Sequence, residues 1–149
     1  MLTPGPDPLA DVTALADQLL RLQRRRTTVY VGVRLENSAF RILWVLADGT
    51  PRTLRTLAID LDLEQSTVNR QVNAAIGAGY LERFNVEGSA SKLVRPTAAG
   101  VEAYEHDGLI RATLIGGALD TLGAGRAQNL ITDLRAFNDA WDAALEHRP

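Results

Sequence analysis

The sequence predicts a mainly α chain with a minor β part, and three observations predict it. Apolar residues recur at helical spacing along most of the 149 residues. Two short helical patterns, 54–61 and 64–78, are separated only by Asp62-Leu63. The period then turns strand-like across 81–95 around a small-residue tip, and becomes helical again at Thr97. Two helices joined so tightly form a helix-turn-helix, and a following hairpin makes it a winged helix-turn-helix core. The helices outside that core, at both ends of the chain, carry apolar stripes longer than a self-closing core needs, and surplus apolar faces need a partner.

Composition bounds the function. At 46% hydrophobic, the chain can fold around a core. No apolar run reaches the ~18 residues a membrane span needs, and residues 1–9 lack the basic-then-apolar pattern of a secretion signal. A cytoplasmic protein with no membrane partner is expected. Cysteine is absent, which excludes disulfides, thiolate zinc sites and a cysteine redox sensor. The net charge of −2 is not that of a non-specific nucleic-acid binder. The acidic surplus lies in residues 96–149, with four basic and eight acidic side chains, whereas residues 52–95 carry six basic and five acidic. A DNA-facing surface in the middle of the chain is therefore compatible with the net charge.

The elements follow in order. Residues 1–8, with three prolines and a glycine, read as a flexible start. Residues 9–34 read as an N-terminal dimerisation helix and a connector. Leu9, Val12, Leu15, Ala16, Leu19, Leu20 and Leu22 form its apolar face, and Arg24-Arg25-Arg26 close it where cations complement the helix dipole. TTVYVGVR, 27–34, is β-branched and aromatic and reads as extended or as a short strand. Residues 35–100 read as the winged core. In it, 36–47 is helical, with Asn37 or Ser38 as cap, and Asp48-Gly49-Thr50-Pro51 is a stop. Thr53 caps 54–61, and Gly77 and Gly79 bracket the end of 64–78. Thr97 caps a long helix to about 122, which Gly116-Gly117 weakens. Residues 101–149 read as C-terminal dimerisation helices; in the last, 126–147, Leu130, Ile131, Leu134, Phe137, Trp141 and Leu145 form a stripe.

The helix 64–78 carries the chemistry. With Val68 at 0° and about 100° per residue, Val72, Ala75 and Gly79 fall within roughly 40° of it and Ile76 within about 80°. Ser66, Arg70 and Asn73 fall opposite, with Thr67 and Asn69 on the flanks. Ser, Thr and Asn are poor helix formers, so an exposed face built from them lowers stability without need unless it binds something. In a DNA major groove, Asn can pair with adenine, Arg with guanine, and a Thr methyl can meet a thymine methyl. Hydroxyls at the leading end can hold phosphates. Gln65, Ser66, Thr67, Asn69, Arg70 and Asn73 are thus candidate DNA contacts. Arg83 at the base of the hairpin, Lys92 beside its tip, and Arg52 and Arg55 before and within 54–61 are candidate contacts to the backbone or the minor groove.

The stretch TLRTLAIDLDLEQSTVNRQVNAAIGAGYLER, 53–83, resembles the helix-turn-helix of the MarR family. The residues that carry the likeness are Leu57-Ala58, Leu61, Ser66-Thr67-Val68, Arg70, Val72, Gly79-Tyr80-Leu81 and Arg83, with Thr97 and Gly100 after the hairpin. Ser91-Lys92 stands where that family has an Asp and Arg pair near the wing tip, and Asp62 where its turn often has glycine. The resemblance implies a homodimeric transcriptional regulator, a repressor, that reads a near-palindromic double-stranded operator with recognition helix 64–78 and wing 81–95. It also implies release by a small aromatic or anionic effector, for which Tyr30, Arg41, Trp44 and His106 are the candidate pocket residues.

An enzyme is poorly supplied. His106 and His147 stand far apart in sequence, there is no GxxxxGK loop, and the carboxylates Asp60 and Asp62 sit at a helix end. No catalytic residue, metal or cofactor is expected. The competing reading is a winged-helix module that binds protein and not DNA. Salt separates the two, because phosphate contacts release counterions and weaken steeply as salt rises.

Overall fold

The computed structural model describes residues 8–25 and 28–147, so residues 1–7, Arg26 and Thr27, and the last two residues lie outside it. The expected flexible start and the third arginine of the basic run fall among those. The elements are α1 (Pro8–Arg25), α2 (Asn37–Leu46), α3 (Leu54–Leu61), α4 (Gln65–Gly77), β1 (Leu81–Asn85), β2 (Lys92–Pro96), α5 (Ala98–Leu122) and α6 (Ala124–Glu146). This is the mainly α, winged helix-turn-helix order anticipated above. Two compact units divide after Asp107. No helix among the described residues is long and apolar enough to cross a membrane.

The core lies in the first unit. Ile42, Leu43 and Leu46 of α2, Leu57 and Leu61 of α3, and Val68, Val72 and Ala75 of α4 are buried together with Leu81 and Val94 of the strands and Ala103 of α5. The Phe40 ring packs against Tyr104, with centroids 5.1 Å apart. Removing this much aliphatic surface from water is the main force holding the helices at their angles.

Local signals set the joints. The Thr53 hydroxyl accepts from the Thr56 N–H at 3.1 Å and caps α3. Asp62 ends α3 in the left-handed region, at φ 52°, a conformation that Asp tolerates better than most residues. It turns the chain directly into α4. After α4, Gly79 takes φ 84°, which favours glycine. The Thr97 hydroxyl donates to the Gly79 carbonyl at 2.6 Å and accepts from the Gly100 N–H at 3.0 Å, so it ties the end of α4 to the start of α5. Gly100 sits so close to this joint that an added Cβ would lie 2.0 Å from the Tyr80 carbonyl oxygen.

β1 and β2 pair antiparallel with Leu81 opposite Pro96, Arg83 opposite Val94 and Asn85 opposite Lys92. Arg52 adds an isolated bridge to Val94 through bonds of 3.1 and 2.8 Å, which anchors the sheet to the segment before α3.

Two local expectations change. Residues 28–34 form no strand: Val31 and Gly32 make a turn, with Gly32 at φ 87°. Strand propensity reflects packing beside a partner, and among the described residues no strand pairs there. The α2 cap residue is Glu36, with no side-chain bond, and neither Asn37 nor Ser38. The long helix α5 runs to Leu122 as expected, through Gly116 and Gly117.

One polar group is built into the first unit. Asp107 is fully buried and accepts from the backbone N–H of Arg34 at 2.9 and 3.1 Å and of Leu35 at 2.8 Å, and pairs with Nδ1 of His106 at 2.9 Å. Burial pushes its carboxyl up, but the bonds from His106, Arg34 and Leu35 outweigh it and hold the group below the ordinary carboxylate range.

Candidate nucleic-acid interface

α4 shows the two faces its periodicity anticipates. Val68, Val72 and Ala75 are buried, Ile76 is half-buried, and Gln65, Ser66, Asn69, Arg70 and Asn73 are exposed, with Thr67 on the flank half-buried. Gly79 lies beyond the helix and outside the buried face. The exposed face holds one cation, three amides and a hydroxyl, with no carboxylate after Glu64.

The wing base reaches this face. Nη2 of Arg83 donates to Oδ1 of Asn69 at 2.9 Å and to Oδ1 of Asn73 at 2.9 Å. The guanidinium is half-buried, with its Nε enclosed. Arg83, expected to meet the DNA backbone, is thus tied to two residues of α4. This pairing is not visible in sequence, because it joins positions 10 and 14 apart through a tertiary fold.

Beside it, Thr53, Arg55, Gln65, Arg83, Ser91 and Lys92 surround a hollow of about 340 Å³ between the start of α3, the start of α4 and the wing. Its lining includes three cationic side chains and no carboxylate. Arg55 and Lys92 are exposed. An anion of phosphate size suits such a hollow: long cations supply charge, and hydroxyls and amides supply directed donors.

Arg52, a candidate phosphate contact, is engaged within the chain. Its guanidinium binds Asp48 at 2.9 and 2.7 Å, the Thr50 carbonyl at 2.9 Å and Asp60 at 2.9 Å. Four of its five N–H groups are therefore committed inside the protein. Through Arg52 and Thr50 the network pulls the Asp48 carboxyl down to about 2. The cation ties the turn before α3 to Asp60 of α3, and a run of sequence cannot reveal that carboxylates on both sides close around it. Arg95 is likewise engaged, by Glu82 at 2.6 Å and over the Phe84 ring at 4.3 Å.

Arg41 donates to the Leu61 carbonyl at 3.2 Å, His106 pairs with Asp107, Tyr30 is half-buried in the connector, and Trp44 is 66% exposed beside Phe40. An apolar hollow of about 460 Å³ between α2, β2 and α5 is lined by Leu43, Leu46, Pro51, Val101 and Tyr104, with Arg95 and Glu105, and by none of those four.

No protein-family model and no curated protein sequence matches the chain. Solved structures do. A mutant of MarR from E. coli complexed with operator DNA superposes with a TM-score of 0.71 at 16% identity, over 89% of this chain and 99% of that one. The chain has the MarR-type winged-helix fold. RV1404 from Mycobacterium tuberculosis gives a TM-score of 0.68 at 22% identity, over 93% of this chain and 97% of its own. The PcaV transcriptional regulator from Streptomyces coelicolor, in complex with its natural ligand, gives 0.67 at 19%, over 93% and 99%. In this MarR-type fold α3 and α4 form the helix-turn-helix and β1–β2 the wing.

Proposed function

We propose that this chain is a cytoplasmic, homodimeric transcriptional regulator of MarR type, a repressor that binds a near-palindromic double-stranded operator. The observation that carries the proposal is the α4 surface. Its apolar side is buried, and its exposed side presents Ser66, Asn69, Arg70 and Asn73 next to a cation-lined hollow. α4 enters the major groove, Arg70 reads a base edge, and Arg55 and Lys92 hold phosphates on either side. The MarR structure with operator DNA supports the assignment by shared fold.

Two copies are part of the proposal. Leu130, Ile131, Leu134, Trp141 and Leu145 of α6 are exposed apolar side chains within one chain, as are Leu9, Val12 and Leu20 of α1. Such stripes are what a partner copy covers. Two α4 helices then lie about one DNA turn apart, roughly 34 Å. Release by a small aromatic or anionic effector belongs to the same proposal, with Tyr30, Arg41, Trp44 and His106 as pocket residues. The PcaV regulator, solved in complex with its natural ligand, supports a ligand-binding role for this fold.

The test is titration of the operator recovered by selection from random DNA. Arg70→Ala is expected to weaken binding by about 1–3 kcal/mol and relax preference at one base pair per half-site. Lys92→Ala weakens all duplexes alike and lowers the salt slope by about one. Operator affinity unchanged by Arg70→Ala and indifferent to salt would remove α4 from the interface.

A further inference from the structure

An Asn that pairs with adenine uses both ends of its amide, an acceptor toward N6 and a donor toward N7. In this molecule the acceptor ends of Asn69 and Asn73 are already engaged. Nη2 of Arg83 lies 2.9 Å from Oδ1 of each. A guanidinium has donors only, so the amide atom facing it is the oxygen, and chemistry settles the orientation of both amides. One NH₂ group carries two hydrogens, and two oxygens receive them. Asn69 and Asn73 are four residues apart and so stack on one face of α4, where a single terminal nitrogen reaches both. Arg83 is itself seated: it lies in β1 opposite Val94, and its Nε is buried.

An amide oxygen turned toward the wing base turns the amide nitrogen away from it, and both residues are exposed. We infer that Arg83 is a positioning residue that presents Asn69 and Asn73 to DNA as donors, so that α4 selects guanine where these amides meet the major groove. The guanine edge offers N7 and O6, two acceptors and no donor, against the single acceptor O4 beside the methyl of thymine; adenine adds an N6 donor and cytosine offers an N4 donor, and each of these donors opposes an outward NH₂. The inference rests on α4 being a major-groove helix and adds the class of base it reads. It also replaces the adenine pairing that the sequence suggests for these residues.

The experiment is selection of bound duplexes from a random library with the purified full chain and its variants. Asn69→Ala and Asn73→Ala mark the base pairs that each amide reads. At those pairs the unaltered chain is expected to favour guanine over adenine by about tenfold. Arg83→Met keeps the stem, removes the donors and lets the amides turn. It erases that preference while the pair marked by Arg70→Ala keeps its own. Arg83→Lys, with hydrogens to give but no fork, restores the preference in part. A loss of folding would instead abolish preference at every pair. Asn73→Asp serves where Arg83→Met does not fold, because a carboxylate still accepts from Arg83 and now points an acceptor outward. Guanine should then yield to cytosine at that pair. Adenine at the marked pairs, an unchanged consensus in Arg83→Met, guanine retained by Asn73→Asp, or no pair marked by the alanine variants overturns the inference and leaves the regulator proposal standing. A chain that enriches no duplex at low salt overturns both.

Discussion

The segment from Leu35 to Asp107 and the segment after it treat apolar side chains in opposite ways. In the first, Ile42, Leu57, Val68, Val72 and Val94 are wholly excluded from water, and even a carboxylate, Asp107, is enclosed with its hydrogen bonds satisfied. In the second, α6 has no buried residue, and Trp141 and Leu145 remain about half exposed at 47% and 52%. Helix makes up most of both segments, so helix content alone does not separate them. The difference is closure: the first has enough elements to cover its own core, whereas α6 leaves its apolar stripe open, the stripe that the proposed second copy would cover. Stability should therefore depend on the first segment, and assembly on the second.

Gly100→Ala strikes the first segment hardest. The new methyl would meet a backbone carbonyl that Thr97 holds in place, and relief requires α5 to move away from the end of α4. A loss of about 3 kcal/mol or more is expected in urea unfolding. Near-unchanged stability would mean that the joint yields easily. Asp107→Ala comes next. It leaves two backbone N–H groups without their acceptor, for a loss of about 3 kcal/mol. Because the folded-state carboxyl is held below its ordinary range, the stabilisation is present at neutral pH and fades as pH falls through that range. Asp107→Ala should therefore flatten part of the acid limb of the stability curve.

Leu134→Glu tests the second segment. It should weaken self-association by about 2 kcal/mol, read by sedimentation at a series of concentrations. The urea midpoint of the winged core should move little in a monomeric state; collapse of the core together with the dimer would show that the two segments do not stabilise independently. The smallest effect belongs to the Asp48–Arg52 pair, whose carboxylate is exposed and whose guanidinium is half-buried. With its carboxyl lowered from 3.8 to about 2, Asp48 contributes above pH 3.8 and loses that contribution as pH falls toward 2. The melting temperatures of the protein and of Asp48→Asn should converge across that window. A constant gap would assign the effect to packing and not to charge.

Much of the site is legible without coordinates because it is local. Stepping 100° along 64–78 separates Val68, Val72 and Ala75 from Ser66, Arg70 and Asn73, and burial divides them the same way. Thr53 and Thr97 cap because a hydroxyl needs only a chain end three residues away. Asp107 leaves a trace in the sequence: it continues the buried stripe of Gly100 and Ala103, where an acid has no place unless something distant needs it. TTVYVGVR misleads because a strand is defined by its neighbour as much as by its residues.

Periodicity, caps and turn residues determined the helix order, the hairpin and the exposed face of α4, since each depends on groups within a few positions of one another. Which partners the charged and amide groups chose was decided only by the tertiary fold. Arg52 went to Asp48 and Asp60, and Arg83 to Asn69 and Asn73. A cation attracts every acceptor it can reach, and what it can reach depends on segments that only folding brings side by side.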